Sequence, residues 1–460
     1  MPRFHIINFG CRANQSDGAV IERELACRGF ENSSTHQSAD IVLLNSCTVT
    51  ASADYGVRQA ARRIHRENPS ARIWVTGCYA QRSPEELASL PGVECVAGNS
   101  HKSALADLIA SGFPCSASSR FVSIDSLSGQ APKPGAVAGR ILRSDIFAHT
   151  DFCTPALESA ASSQDRTRPN LKIQDGCNNR CSFCVIPYVR GRSRSMSAQE
   201  VIRSVSSLCE HGYREVVLSG INLGRWGRDL KTPSPLRFAQ LVRGILEQTP
   251  VERIRLSSVE PMDFTDELLD LMASSPRIAH HVHAPLQSGS DHILRRMHRK
   301  YRAVHYYDRI QAAFSRMPDA AFGADVMVGF PGESDEDFER TRSLIASLPF
   351  TYLHVFPFSR RPGTPADQMN GQVHGAVIRE RARILRELAA EKNLAFRNRQ
   401  IGQILDVITL DQAQDGRPVA LSGNFLEVFL TGMPVPSNQW VHAKITGIHD
   451  GGVSGEQVAR

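Results

Sequence analysis

Apolar residues cluster along this chain with two different spacings. "FHIINFG", "DIVLLNS" and "RIWVTG" are short apolar runs rich in β-branched residues and predict strands. Between them, "DGAVIERELACRG" and "ADYGVRQAARRIHREN" carry apolar positions at helical spacing. Strands separated by helices imply βαβ units and an open parallel sheet over residues 1–114. Residues 115–168 lose this rhythm and become rich in Ser, Ala, Gly and Pro, which predicts a connector with a strand or two in it. Alternation returns from 169 to 395. There "REVVLSG", "RIRLSSVEP", "HHVHAPL", "AFGADVMVGFP" and "YLHVFPFS" predict strands, with amphipathic helices such as "TDELLDLMASS" between them. Five or six such repeats predict a complete or partial (β/α) barrel. The last block, 397–460, holds "QILDVITL", "FLEVFLTG" and "WVHAKITGIHDGG", short strands with turn residues between, and predicts a small β-barrel. The fold class is therefore α/β with an all-β appendage.

Composition adds limited constraints. Hydrophobic residues make up 41% of 460 residues, enough for ordinary cores. The net charge of +6, from 53 basic and 47 acidic residues, permits a polyanionic partner without requiring one. No apolar run approaches the roughly 18 residues of a membrane span, and "MPRFHIINFG" is too short in its apolar part for a signal peptide, so a cytoplasmic location and no membrane partner are expected. Eleven cysteines in a chain without a secretory signal point to metal or redox chemistry, not to a disulfide framework.

The cysteines carry the chemistry. "DGCNNRCSFCVIPYVRG" places Cys177, Cys181 and Cys184 at C-x3-C-x2-C just after the strand-like "NLKIQDG". A structural zinc site needs four ligands, and the nearest histidine, His211, is distant in sequence. Three thiolates suit a 4Fe-4S cluster whose fourth iron is left open, and S-adenosylmethionine can occupy that position. A second triplet is spread along the first block. Cys11, Cys47 and Cys78 each follow an apolar run and a small residue, about one βα unit apart. Strand ends of a parallel sheet converge on one edge, so these three can share a site too. Cys27, Cys95, Cys115, Cys153 and Cys209 lack the pattern.

With two three-cysteine sites, an α/β block, a barrel and a terminal β domain, the chain resembles the radical-SAM methylthiotransferases over nearly its whole length. "HAPLQSGSDHILRRMHRKY", "DVMVGFPGESDEDF" and "FPFSRRPGTPA" agree with that family, and the last block is similar to its RNA-binding TRAM domain. "NFGCRANQSD", "NSCTVTASAD" and "VTGCYAQR" most resemble the enzymes that act on N6-threonylcarbamoyladenosine at tRNA position 37, although Ser16-Asp17 replaces the Gln-x-Glu ending common there. The resemblance implies two 4Fe-4S clusters, on Cys177/Cys181/Cys184 and on Cys11/Cys47/Cys78, and S-adenosylmethionine as both radical source and methyl donor. It implies a methylthio group delivered to C2 of the modified adenine, a tRNA partner, a low-potential electron donor and a sulfur donor. Rival readings are a methylthiotransferase for isopentenyladenosine or a ribosomal-protein aspartate, and a non-catalytic iron–sulfur RNA-binding protein.

Several further residues are candidates. Gly220 and Asn222 in "LSGINLG", Glu260 in "SSVEP" and Gln287 in "PLQSGS" follow strands and are candidates for contacting S-adenosylmethionine or substrate. Arg190, Arg192 and Arg194 in "VRGRSRS" would share one face of an extended chain and suit phosphates. Phe425, Phe429 and Trp440 are candidates for stacking on RNA bases.

Overall fold

The computed structural model describes residues 1–112, 139–150, 152, 167–231, 236–414, 416–432 and 435–458. Cys115, Cys153 and most of the expected connector lie outside these residues. The chain forms two compact units, Met1–Ala156 with Tyr188–Gly191, and Leu157–Pro187 with Arg192–Arg460.

In the first unit the described strands are β1 (Arg3–Asn8), β2 (Glu31–Asn32), β3 (Ile41–Ser46), β4 (Arg72–Gly77), β5 (Val93–Gly98) and β6 (Arg140–Leu142). They form one parallel sheet in the order β2-β1-β3-β4-β5-β6. Helix α1 (Arg12–Cys27) connects β1 to β2, and helix α2 (Ala51–Glu67) connects β3 to β4. All six residues of β3 are buried, as a strand covered on both faces requires. Two apolar clusters form the unit's core, one around Leu44, Val57 and Ile73, the other around Phe4, Leu43 and Trp74. The sheet does not end at residue 114. Arg140 of β6 pairs with Cys95, so one strand within the expected connector joins the sheet as a short edge strand.

In the second unit six of the described strands run parallel, in the succession the sequence pattern implies. They are β7 (Asn170–Asp175), β9 (Glu215–Gly220), β10 (Arg253–Leu256), β11 (His281–His283), β12 (Ala321–Val328) and β13 (Tyr352–Pro357); the two-residue β8 (Arg194–Ser195) pairs antiparallel to β7. Hydrogen bonding divides them into β10-β9-β7-β8 and β11-β12-β13, joined by a bridge between Ile254 and Ile278. The outcome is a partial (β/α) barrel, with chemistry expected at the carboxyl ends of its strands.

The helix Gly375–Arg399 leads into a closed barrel of β14 (Ile404–Gln414), β15 (Arg417–Ser422), β16 (Glu427–Thr431), β17 (Trp440–His449) and β18 (Gly452–Val458), in the order β14-β15-β16-β18-β17. The expected boundary near residue 396 falls inside that helix, because no helix breaker stands there. The small barrel packs within the second unit. Arg255 donates to the carbonyls of Ser422 and Gly423, Asn424 donates to Asp319 O, and the Arg253 guanidinium lies 4.1 Å over the Trp440 ring.

Candidate active site: two cysteine triplets at strand ends

In the first unit each cysteine of the dispersed triplet begins a strand-to-helix turn. Cys11 caps α1, Cys47 follows β3, and Cys78 starts a one-turn helix after β4. Glycine permits the tight approach. Gly10 has φ +86°, and a Cβ placed on it would lie 2.5 Å from Cys47 Sγ. Gly77 has φ +98°, and its Cβ would overlap Ser46 O. The sheet edge is braced by Asn14, whose Nδ2 donates to the carbonyls of Phe9, Asn45 and Ser46. Asn45 answers by donating to Asn14 O and Asn8 Oδ1. Behind this edge Asp17 accepts from Lys102 Nζ at 2.9 Å and from Arg190 Nη2 at 3.0 Å, all three side chains being buried. Asn99 Nδ2 lies 3.6 Å from Cys78 Sγ and also donates to Val189 O.

The sulfurs are close enough to act on one another. Burial pushes the Cys47 thiol up to about 12, with Cys78 and Cys11 adding to the rise and Arg190 opposing it. Three soft donors at one sheet edge, backed by buried cations that can offset thiolate charge, form a donor set suited to an iron–sulfur cluster.

In the second unit the compact triplet follows β7. Gly176, at φ +68°, turns the chain, and Gln174 holds the loop by donating to Asp175 O, Gly176 O and Ser193 Oγ. Cys177 Sγ is approached by Asn179 N at 3.4 Å and Asn222 Nδ2 at 3.7 Å. Arg299 Nη1 reaches Cys181 Sγ at 3.4 Å, and its other nitrogen pairs with Glu260. Burial, reinforced by Cys181, pushes the Cys184 thiol up to about 12, and burial also raises Cys177. A cluster held here must displace these thiol protons. An open cleft beside Cys181 is lined by Asn179, Arg225, Glu260, Met262, His298, Arg299, Lys300 and Tyr301.

The other sequence candidates divide. Asn222 stands beside Cys177, and its backbone N–H donates to Gln174 Oε1. Gly220 packs on Gln174, where a Cβ would come within 3.0 Å of its side chain. Glu260 lines the cleft. Gln287 is buried in a left-handed conformation at φ 63°, a strained backbone for a residue with a side chain. Asn222 Oδ1 and Gln287 Oε1 are buried without a hydrogen-bond partner among the described residues. Such orphaned acceptors fit a site meant to receive a donor group.

The arginine reading needs correction. The helix Ile186–Arg190 takes Arg190 out of the expected extended stretch, while Arg192 and Arg194 lie beyond it. Arg190 is 2% exposed and committed to Asp17 and Asn14, which removes it as a phosphate contact. Arg194 is largely covered and lies 3.9 Å from Asp175, while Arg192 is exposed. The three aromatics are likewise engaged in the fold. Phe425 stacks on His281 at 4.4 Å, Phe429 is buried and stacks on His449 at 3.9 Å, and Trp440 lies under Arg253. Sequence reasoning misses Arg299, Asn179, Asn99 and Lys102. Arg299 stands inside "HAPLQSGSDHILRRMHRKY", so the motif contains it without marking its role.

Residues 171–345 match the Radical SAM superfamily, and residues 3–98 match a group described as uncharacterized protein family UPF0004. The threonylcarbamoyladenosine tRNA methylthiotransferase MtaB of Bacillus subtilis (strain 168) is 35% identical over 447 residues, covering 96% of this chain and 93% of that protein. This chain belongs to the radical-SAM methylthiotransferase family. The MtaB of Aquifex aeolicus (strain VF5) is 34% identical, with 91% and 94% covered. A tRNA-2-methylthio-N(6)-dimethylallyladenosine synthase of Saccharopolyspora erythraea (strain ATCC 11635 / DSM 40517 / JCM 4748 / NBRC 13426 / NCIMB 8594 / NRRL 2338) is 31% identical, with 96% and 87% covered. Among solved structures, the radical S-adenosylmethionine methyltransferase TsrM from Kitasatospora setae superposes with a TM-score of 0.57 at 18% identity, over 79% of this chain and 74% of that one, a likeness of fold alone. As a member of the methylthiotransferase family the protein is an enzyme that uses S-adenosylmethionine and 4Fe-4S clusters.

Proposed function

We propose that this methylthiotransferase places a methylthio group on C2 of N6-threonylcarbamoyladenosine at position 37 of tRNA. The observation that carries the reading is the pair of cysteine triplets at strand ends, in a chain about a third identical over nearly its full length to proteins named for that substrate. Cys177, Cys181 and Cys184 would hold one 4Fe-4S cluster, and Cys11, Cys47 and Cys78 the other. When bound, the clusters and S-adenosylmethionine supply the reducing electron, the radical, the sulfur and the methyl group. The chain's own residues set the stage for this. Asn179 and Asn222 place N–H donors on Cys177, and Arg299 places a cation on Cys181. Donors to the sulfurs, and the charge around them, tune a cluster's potential. Arg225, Arg299 and Lys300 give the cleft a cationic wall beside Glu260, suited to an anionic substrate group. Asn222 and Gln287 offer acceptors to a cofactor ammonium. The reading calls for a low-potential electron donor and a sulfur donor as further partners, and a tRNA substrate fits work in the cytoplasm. None of the described helices is long and apolar enough to cross a membrane.

Mass spectrometry of nucleosides from host tRNA, with and without the gene, tests the substrate. We expect the methylthio form of threonylcarbamoyladenosine to vanish and its unmethylthiolated precursor to accumulate in the deletion. Loss of the methylthio form of isopentenyladenosine instead would overturn the assignment.

A further inference from the structure

The barrel carries a second cluster of ligand-type side chains that contains no sulfur. His283 ends β11, Asp325 lies within β12 and His354 lies within β13. In register, His283 pairs with Gly323, and Asp325 pairs with His354. Side chains two apart on a strand share a face, so His281, His283, Gly323, Asp325, Tyr352 and His354 form one patch. Asp325 Oδ2 lies 3.3 Å from His283 Nε2, and Asp325 Oδ1 lies 3.1 Å from His354 Nδ1. The candidate donor atoms of the three residues all fall within 4.8 Å of one another. Bonds of about 2.0–2.1 Å around a tetrahedral ion put its donors roughly 3.3 Å apart, so the closer pairs already have ligand spacing.

The surroundings support a built site. The Tyr352 hydroxyl is 2.9 Å from His283 Nδ1 and 2.7 Å from His281 Nε2. Holding Nδ1 of His283 leaves Nε2 facing the carboxylate, the orientation that outer partners impose on metal-binding histidines. Tyr352 reaches this position because residue 323 is glycine, where a Cβ would overlap the tyrosine ring. His283 is 9% exposed, whereas His354 is 62% exposed, so one side of the trio is closed and the other opens to solvent. Three protein ligands with an open fourth position are the arrangement of a reactive site, not of a structural one.

We propose that His283, Asp325 and His354 form a divalent-cation site, taking zinc or ferrous iron, whose open position accepts water or an oxygen of a bound substrate. Two imidazoles and one carboxylate suit these borderline ions and not magnesium or calcium. The site is independent of which nucleoside the enzyme modifies, and its ligand set is distinguishable from either cysteine triplet.

The test uses the full chain with its iron–sulfur clusters loaded, so that the cysteines are occupied, equilibrated with zinc. X-ray absorption at the zinc edge reads only the added ion. We expect one zinc per chain with a shell of nitrogen and oxygen at about 2.0–2.1 Å and no sulfur at about 2.3 Å. His354→Ala, at an exposed position, and the isosteric Asp325→Asn should each weaken zinc binding at least tenfold, on the order of a lost ligand, while the visible absorbance of the iron–sulfur clusters stays unchanged. Sulfur in the zinc shell, no zinc uptake by the unaltered chain, or equal uptake by both variants would overturn the proposal.

Discussion

Gly10 shows how far a single residue controls the N-terminal triplet. Its φ of +86° lies where a side chain is strained, and the added methyl of alanine would sit 2.5 Å from both Cβ and Sγ of Cys47. Neither atom can withdraw easily, because Cys47 is buried at the end of a fully buried strand. Gly10→Ala should therefore displace Cys47 and empty that site while leaving Cys177, Cys181 and Cys184 in place. Anaerobically reconstituted variant should carry about four irons against about eight in the unaltered chain, a difference read by iron analysis. Unchanged iron would show that Cys47 tolerates the shift or is not a ligand. Asp17 acts at the same scale through charge. The residue that departs from the subgroup's usual pattern is 1% exposed and neutralises two buried cations, Lys102 and Arg190. A carboxylate within two helical turns of Cys11 is thus needed for charge balance, whichever subgroup the local sequence favours.

Strands and helices differ in how much of them is legible in the sequence. The apolar runs ending in Cys47 and Cys78 can be read because burial on both faces forces continuous hydrophobic strands, the run ending in Cys11 because its apolar residues still outnumber its polar ones, and the chemistry follows where those strands stop. Arg190 escapes such a reading because it ends a short helix where an extended segment is expected to begin, and its partner Asp17 lies 173 residues away in sequence. Lys102 escapes it for a similar reason, being 85 residues from the same carboxylate. Long-range ion pairs leave no periodic trace. Glu215 is another such case. It opens β9, is fully buried, and meets Arg255 at 2.8 Å and Arg168 and Arg253 at 3.5 Å. Burial pushes its carboxyl up, but Arg255, Arg168 and Arg253 together outweigh this and hold it below the ordinary carboxylate range. A depressed carboxylate contributes stability that is present above its unfolded pKa and is lost as pH falls through the folded one. The second unit should therefore lose stability below about pH 4.5. Glu215→Gln should cost on the order of 3 kcal/mol at neutral pH, because Arg255 stays buried without its charge partner. It should also flatten the acid limb of a stability-against-pH curve from denaturant melts. A full acid limb in the variant would assign that limb to other carboxylates.

For the molecule as a whole, the question is which surface meets RNA. The net charge of +6 is modest, and much basic surface is already paired. The small barrel cannot be treated as a detachable RNA module. Buried Arg253 and Arg255 donate to its backbone carbonyls at Asp406, Ser422 and Gly423, and Phe425 stacks on His281. Stopping the chain near residue 396 would strand these arginines and open the core, so weaker tRNA binding by a truncated chain would report unfolding as readily as a missing RNA surface. Single charges on the exposed face separate the two effects. Arg192, just beyond the Cys177–Cys184 loop, is exposed, unlike the buried Arg190. On the barrel, Lys444 is exposed on β17. If each meets one phosphate, Arg192→Glu or Lys444→Glu should weaken tRNA binding without changing iron content or melting temperature. The slope of log affinity against log salt should fall in magnitude by about 0.7 for each phosphate no longer neutralised on single-stranded RNA. Filter binding at several salt concentrations measures both quantities. An unchanged slope in either variant would remove that residue from the RNA surface and shift attention to the exposed arginines of α2, Arg62, Arg63 and Arg66.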